Sequence, residues 1–139
     1  MSKPILALDY GERRTGVAIG QRLTGTATPI KTLLSKDGKP DWSGLKQLLV
    51  EWEPESILVG MPEDTESNKA IRKKITRFCN QLENHTDLPI HTYDESYSSD
   101  AAYRNLKEQR QSGRRRIRKE DIDSHAAAIL LESWLHTNS

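Results

Sequence analysis

Residues 4–20, PILALDYGERRTGVAIG, constrain the fold more than any other stretch of this chain. Two short apolar runs rich in strand formers, PILALD and TGVAIG, flank the polar GERR. That is the pattern of a β-hairpin with Gly11 in its turn. The first run ends in a carboxylate, Asp9, which is costly to dehydrate beside a core strand unless something pairs with it. Either Asp9 serves the turn ahead of Gly11, a common use of aspartate, or it belongs to a site that needs negative charge there.

The segment GTATPIKTL (25–33) reads as a third strand, with Pro29 marking an edge position or a bulge. SKDGKPD is turn chemistry. Asp41 can cap a helix in which Trp42, Leu45, Leu49 and Trp52 recur at helical spacing, and Pro54 closes it. SILVG (56–60) is a continuous apolar run, as expected for a parallel strand covered on both faces. From about Asn68, the residues Ile71, Ile75, Phe78 and Leu82 form one face of a helix. LPIHTY (88–93) supplies a last strand, residues near 98–109 are helical, and a final helix from about Glu120 carries Ala126, Ile129, Leu130 and Trp134. The order β-β-β-α-β-α-β-α-α predicts an α/β fold: a mixed five-stranded sheet, antiparallel meander first and parallel strands after, with helices on both faces. With 139 residues and no repeat or linker, one domain spanning 1–139 is expected.

No apolar segment approaches the roughly 20 residues needed to span a bilayer. The N-terminal apolar run is too short for a secretory signal, so a soluble cytoplasmic protein without membrane contact is expected. A single cysteine, Cys79, excludes an internal disulfide and a zinc-binding pair, and the four histidines are scattered. The net charge of +1 conceals an uneven distribution: residues 104–119 hold eight basic side chains and one acid, Glu108. Arg114, Arg115, Arg116, Arg118 and Lys119 are its densest part. Such a run suits a polyanionic partner through counterion release, and a solvated surface is the plainer alternative.

Three acids sit where strands or helices meet a common edge. Asp9 ends the first strand, Glu95 follows the last strand in YDES, and Asp123 lies in the first turn of the final helix. Asp123 shares a helical face with Ala127, Leu130 and Trp134, so it should look toward the protein. If the first, fourth and fifth strands are parallel, Asp9 and Glu95 reach the same edge, where open α/β sheets place their sites. Three converging carboxylates without basic partners repel one another, and hard divalent cations such as Mg²⁺ or Mn²⁺ relieve that. A pair of such ions can stabilise the attacking and leaving oxygens of a phosphodiester. Gly11 would let a phosphate approach, with Arg13 beside it in the turn. Each acid also has a structural reading, as a turn residue, a helix-dipole partner or a solvated loop pair with Asp94.

Four motifs in order, LDYG with TGVAIG, ILVGMP (57–62), YDESYSS (93–99) and DIDSHAAAILLE (121–132), resemble the YqgF or RuvX family, relatives of RuvC with an RNase H-like fold. The resemblance runs nearly end to end. It implies a metal-dependent nuclease with Asp9, Glu95 and Asp123 as an acidic triad. The family was first described as candidate Holliday-junction resolvases and later assigned to maturation of the 5′ end of 16S ribosomal RNA. Pre-16S rRNA, branched DNA and ribosomal particles are the partners this implies. Two positions depart from the family pattern: Ser96 stands where Arg is usual, and Glu63-Asp64 replace an apolar residue and Asn. Losing a cation and gaining acids should weaken phosphate binding. A non-catalytic RNA- or ribosome-binding factor is therefore a competing expectation. Actin-type phosphoryl transfer is a third, disfavoured because it needs two such domains.

Overall fold

The computed structural model describes residues 3–94 and 119–137. Glu95, Ser96, the helix expected near 98–109 and the basic side chains from Arg104 to Arg118 lie outside the described residues. Strands β1 (Ile5–Asp9), β2 (Arg14–Gln21) and β3 (Thr26–Leu34) form an antiparallel meander. β4 (Ser56–Met61) pairs parallel with β1, and β5 (Ile90–Asp94) pairs parallel with β4. The sheet order is β3-β2-β1-β4-β5, the mixed five-stranded sheet that the element order predicts.

Pleating sorts the side chains into two layers. Leu6, Leu8, Val17, Ile19, Ile57 and Val59 pack against helices α1 (Trp42–Trp52) and α2 (Lys69–Leu82). Ile5, Ala7, Leu58 and Tyr93 face α3 (Lys119–Thr137) on the opposite side. Ile57, Leu58 and Val59 are all fully buried, because β4 lies inside the sheet with helices on both faces. β3 is an edge strand, and its pairing slips so that Val17 opposes Lys31 while Ala18 opposes Pro29. Ile30 is the extra residue of this bulge, beside a proline that has no N–H to give the ladder.

Local chemistry sets the helix ends. The Gly44 N–H donates to Asp41 Oδ1 at 2.9 Å, and α1 stops at Glu53, which takes a left-handed φ of 46° ahead of Pro54. The buried stripe of α1 runs through Leu45 and Leu48 rather than out to Trp52, which is exposed. Between β3 and α1, Asp37 and Gly38 both have positive φ, and Lys36 and Lys39 exchange backbone hydrogen bonds across them. That two-residue turn explains the Asp-Gly pair.

The α3-facing side of β2 carries Gly16, Ala18 and Gly20. Ala18 packs with Ala127 and Ala128 of the helix. A Cβ on Gly16 would overlap the main-chain carbonyl of Asp123, and one on Gly20 would sit 2.7 Å from Leu131 Cδ2. The strand thus offers a shallow track on which an alanine-rich helix settles at backbone distance. The other end of α3 is tied down by the Ala27 N–H donating to Glu132 Oε1 (3.2 Å) and by His136 Nε2 against the Gly25 carbonyl (3.1 Å).

Candidate active site at the carboxyl edge of the sheet

Leu8, Val59 and Thr92 stand in one row across the three parallel strands. Asp9 is the next residue on β1, and Asp94 lies two residues past the row on β5. Both therefore end at the carboxyl edge of the parallel strands, where crevices in open α/β sheets form. Alternation gives Asp9 the same face as Ile5 and Ala7, the face covered by α3. Asp9 pairs with Gly16 in the ladder, and Gly16 lies directly against the Asp123 backbone. A strand end, a glycine and a helix start thus bring the main chains of two of the three expected acidic residues to one place.

Asp123 is half-buried, as its helical face predicts, and Arg14 Nε donates to its Oδ2 at 2.7 Å. Arg14 opens β2 two residues before Gly16, so it shares the α3 face. The expectation of acids without basic partners fails at this residue. A partly exposed ion pair contributes little stability; its consequence here is geometric. It fixes one oxygen of Asp123, Oδ2, against β2.

The third carboxylate, Glu95, lies outside the described residues. Among the described residues no three His, Cys, Asp or Glu side chains group closely enough to hold a metal ion. What is described is the strand leading to it: Tyr93 faces α3, and its hydroxyl lies 2.9 Å from Ser133 Oγ. That bond ties the end of β5 to the helix that carries Asp123.

Other residues singled out in the sequence have clear positions. The space left by the missing side chain of Gly11 is taken by the Arg14 carbonyl, 2.6 Å from where a Cβ would stand, so the turn itself requires this glycine. Arg13 is exposed and forms no ion pair among the described residues. Lys119 begins α3, while Arg114, Arg115, Arg116 and Arg118 precede it outside the described residues. Of the two added acids, Asp64 is matched by Arg72, whose Nε lies 3.6 Å away and whose Nη1 donates to the Pro62 carbonyl at 2.6 Å. Burial pushes the Cys79 thiol up to about 11, with Glu83 adding to it, so it stays a neutral packing group.

Two features escaped the sequence reading. Arg14 was legible only as one of two adjacent arginines in a turn. The second is α2, KAIRKKITRFCNQL, which carries Lys69, Arg72, Lys73, Lys74 and Arg77 and no acid. Its apolar spacing drew attention to the buried face and away from the charged one.

The RuvX family model, described as a Holliday junction resolvase, matches residues 3–137. A Legionella pneumophila (strain Lens) relative, provisionally named a pre-16S rRNA nuclease, is 39% identical over 131 residues, covering 94% of this chain and 93% of its own length. An Escherichia coli O157:H7 relative with the same name is 38% identical over 135 residues, covering 96% of each chain. Among solved structures, T. thermophilus RuvC in complex with a Holliday junction substrate superposes with a TM-score of 0.63 at 12% identity, over 97% of this chain and 94% of that one. The Fowlpox virus resolvase complexed with Holliday junction DNA gives 0.52 at 12% identity, over 96% and 97%. At such identities the likeness is one of fold, the RNase H-like sheet already described. The match across nearly all of its length places the chain in the RuvX family.

Proposed function

We propose that this chain is a metal-dependent nuclease that hydrolyses phosphodiester bonds in structured RNA, processing the 5′ end of pre-16S rRNA. The observation that carries the reading is the placement of Asp9 and the Asp123 main chain on either side of Gly16 at the carboxyl edge. The names of the relatives supply the RNA substrate. The family description and the junction-bound neighbours favour branched DNA as the second reading. Both belong to the same reaction class.

Asp9, Asp123 and Glu95 would hold Mg²⁺ or Mn²⁺, since an all-oxygen donor set fits hard cations and the two described members already share one edge. When bound, such ions supply positive charge for the attacking and leaving oxygens. The chain's own residues position the rest. Asp9 is fixed by the strand ladder, and Asp123 is oriented by Arg14. Arg13, with Gly11 in the same turn, and the basic residues Arg114, Arg115, Arg116, Arg118 and Lys119 would hold substrate phosphates. No described helix is long and apolar enough to cross a membrane, and ribosomal particles in the cytoplasm are the expected setting.

The direct test is cleavage by the purified protein of an RNA containing the 5′ end of pre-16S rRNA, beside a four-way DNA junction. RNA cleavage with Mn²⁺ or Mg²⁺ that stops in chelator is expected. Cutting of the junction alone would move the assignment to DNA. Binding of RNA without cleavage under any divalent ion would leave a non-catalytic factor. A second expected outcome concerns the basic run: replacing Arg114, Arg115 and Arg116 with Ala flattens the slope of log affinity against log salt by up to about three phosphate contacts. An unchanged slope would make that run a solvated surface.

A further inference from the structure

A cavity of about 400 Å³ opens beside the site on the other face of the sheet. Its apolar wall is Tyr10, Trp42 and Phe78; its charged rim is Lys39, Lys74 and Arg77, with Glu12 paired to Lys74. We propose that this cavity is a subsite for an unpaired nucleotide of the RNA substrate, with the base stacked on Tyr10 beside the edge of Trp42 and a phosphate at Arg77 and Lys39. The inference rests on the nuclease reading and extends it to a second point of substrate contact.

Four observations carry it. Tyr10 is the residue after Asp9, so one strand end presents a candidate carboxylate to α3 and an aromatic ring to the cavity. The rings form a column: Tyr10 and Phe78 are 4.6 Å apart, Phe78 and Trp42 stack at 5.3 Å, and Trp42 and His85 stack at 4.2 Å. Tyr10 ends that column half-buried, a rigid apolar surface of the kind on which bases stack whatever their identity. The charge around it is unbalanced. Lys74 pairs with Glu12, but Lys39 and Arg77 form no ion pair among the described residues. The volume lies within the range of about 300–1,000 Å³ typical of small-ligand sites.

An extended strand explains the setting better than a free nucleotide does. The positive charge does not stop at the cavity: Lys73 on α2 and Arg13 in the β1–β2 turn, neither in an ion pair among the described residues, continue it, while Lys69 and Arg72 lie beside Glu66 and Asp64. A mononucleotide has no use for that track, whereas successive phosphates of a polyanion do.

The test uses binding in EDTA, where cleavage cannot interfere. A blunt RNA duplex is compared with the same duplex bearing a short single-stranded extension that contains 5-iodouridine. The wild-type chain should bind the extended RNA roughly 10-fold or more tightly, and irradiation should crosslink the extension to Tyr10 or Trp42. The K39A/R77A double variant, whose side chains lie outside the core, should bring the two affinities close to each other, while Lys46→Ala, one turn further along α1 and outside the cavity lining, should not. Equal wild-type affinities for the two RNAs, or crosslinks that never fall on Tyr10 or Trp42, would overturn the subsite while leaving the nuclease reading standing. Loss of the crosslink on adding equimolar guanosine monophosphate would also overturn it in favour of a free-nucleotide site. Binding of neither RNA would remove the underlying reading itself.

Discussion

Asp9→Asn should lower Mn²⁺-supported cleavage by at least about 100-fold while leaving the melting temperature unchanged or slightly raised. The size follows from the residue's place. Loss of an outer-shell partner of a metal ligand already costs 10- to 100-fold, and Asp9 is proposed as a ligand. Asparagine keeps the shape of the side chain, so the pairing of β1 with Gly16 is preserved. Stability should hold because asparagine keeps a polar side chain with an acceptor oxygen at this half-buried position. Metal binding gives a readout apart from catalysis: millimolar Mn²⁺ should raise the melting temperature of the wild type by linkage, and much less so that of the variant. A purified variant that cuts like the wild type would remove Asp9 from the site. A variant that melts far lower would make the residue a structural turn group.

Much of this arrangement was readable in the chain before any coordinates. Apolar runs and turn chemistry gave the strands in the right order, because period-two burial and Asp-Gly or Pro signals are local. The bulge at Pro29 and the cap at Asp41 were readable for the same reason: each rests on one residue's own backbone chemistry. The helical face of Asp123 was also legible, since a period of 3.6 depends only on neighbours along the helix. The partner of Asp123 was not. Arg14 lies 109 positions away in sequence and meets Asp123 only because α3 crosses β2 at Gly16. The cavity is likewise built from three distant segments: the β1–β2 turn, the Asp37-Gly38 turn with the start of α1, and α2. Pairings of that kind are fixed by topology, and no spacing rule reports them.

The glycines of TGVAIG carry the largest structural consequence, and they separate two kinds of close packing. Gly16→Ala places a methyl group on the Asp123 carbonyl, a main-chain atom that cannot turn aside. Gly20→Ala meets mainly the end of Leu131, a buried side chain whose terminal methyl can give by a few tenths of an ångström more readily than main chain can, although the Thr26 carbonyl is also near at 3.0 Å. Overpacking of a well-filled interior costs typically 1–3 kcal/mol, more where the backbone must move. Gly16→Ala should therefore cost about 3 kcal/mol or more, and Gly20→Ala about 1 kcal/mol. For a chain of this size that corresponds to a fall in melting temperature of roughly 10 °C against roughly 3 °C. The functional split should be wider than the stability split. Relief at Gly16 requires the first turn of α3 to move off the sheet, which carries Asp123 away from Asp9 and strains its bond to Arg14. Measured at a temperature where both variants are folded, Gly16→Ala should lose most of its metal-supported cleavage, and Gly20→Ala should keep most of it. Equal activity in the two would show that the position of the α3 start does not govern the site, and that Asp123 acts elsewhere or not at all.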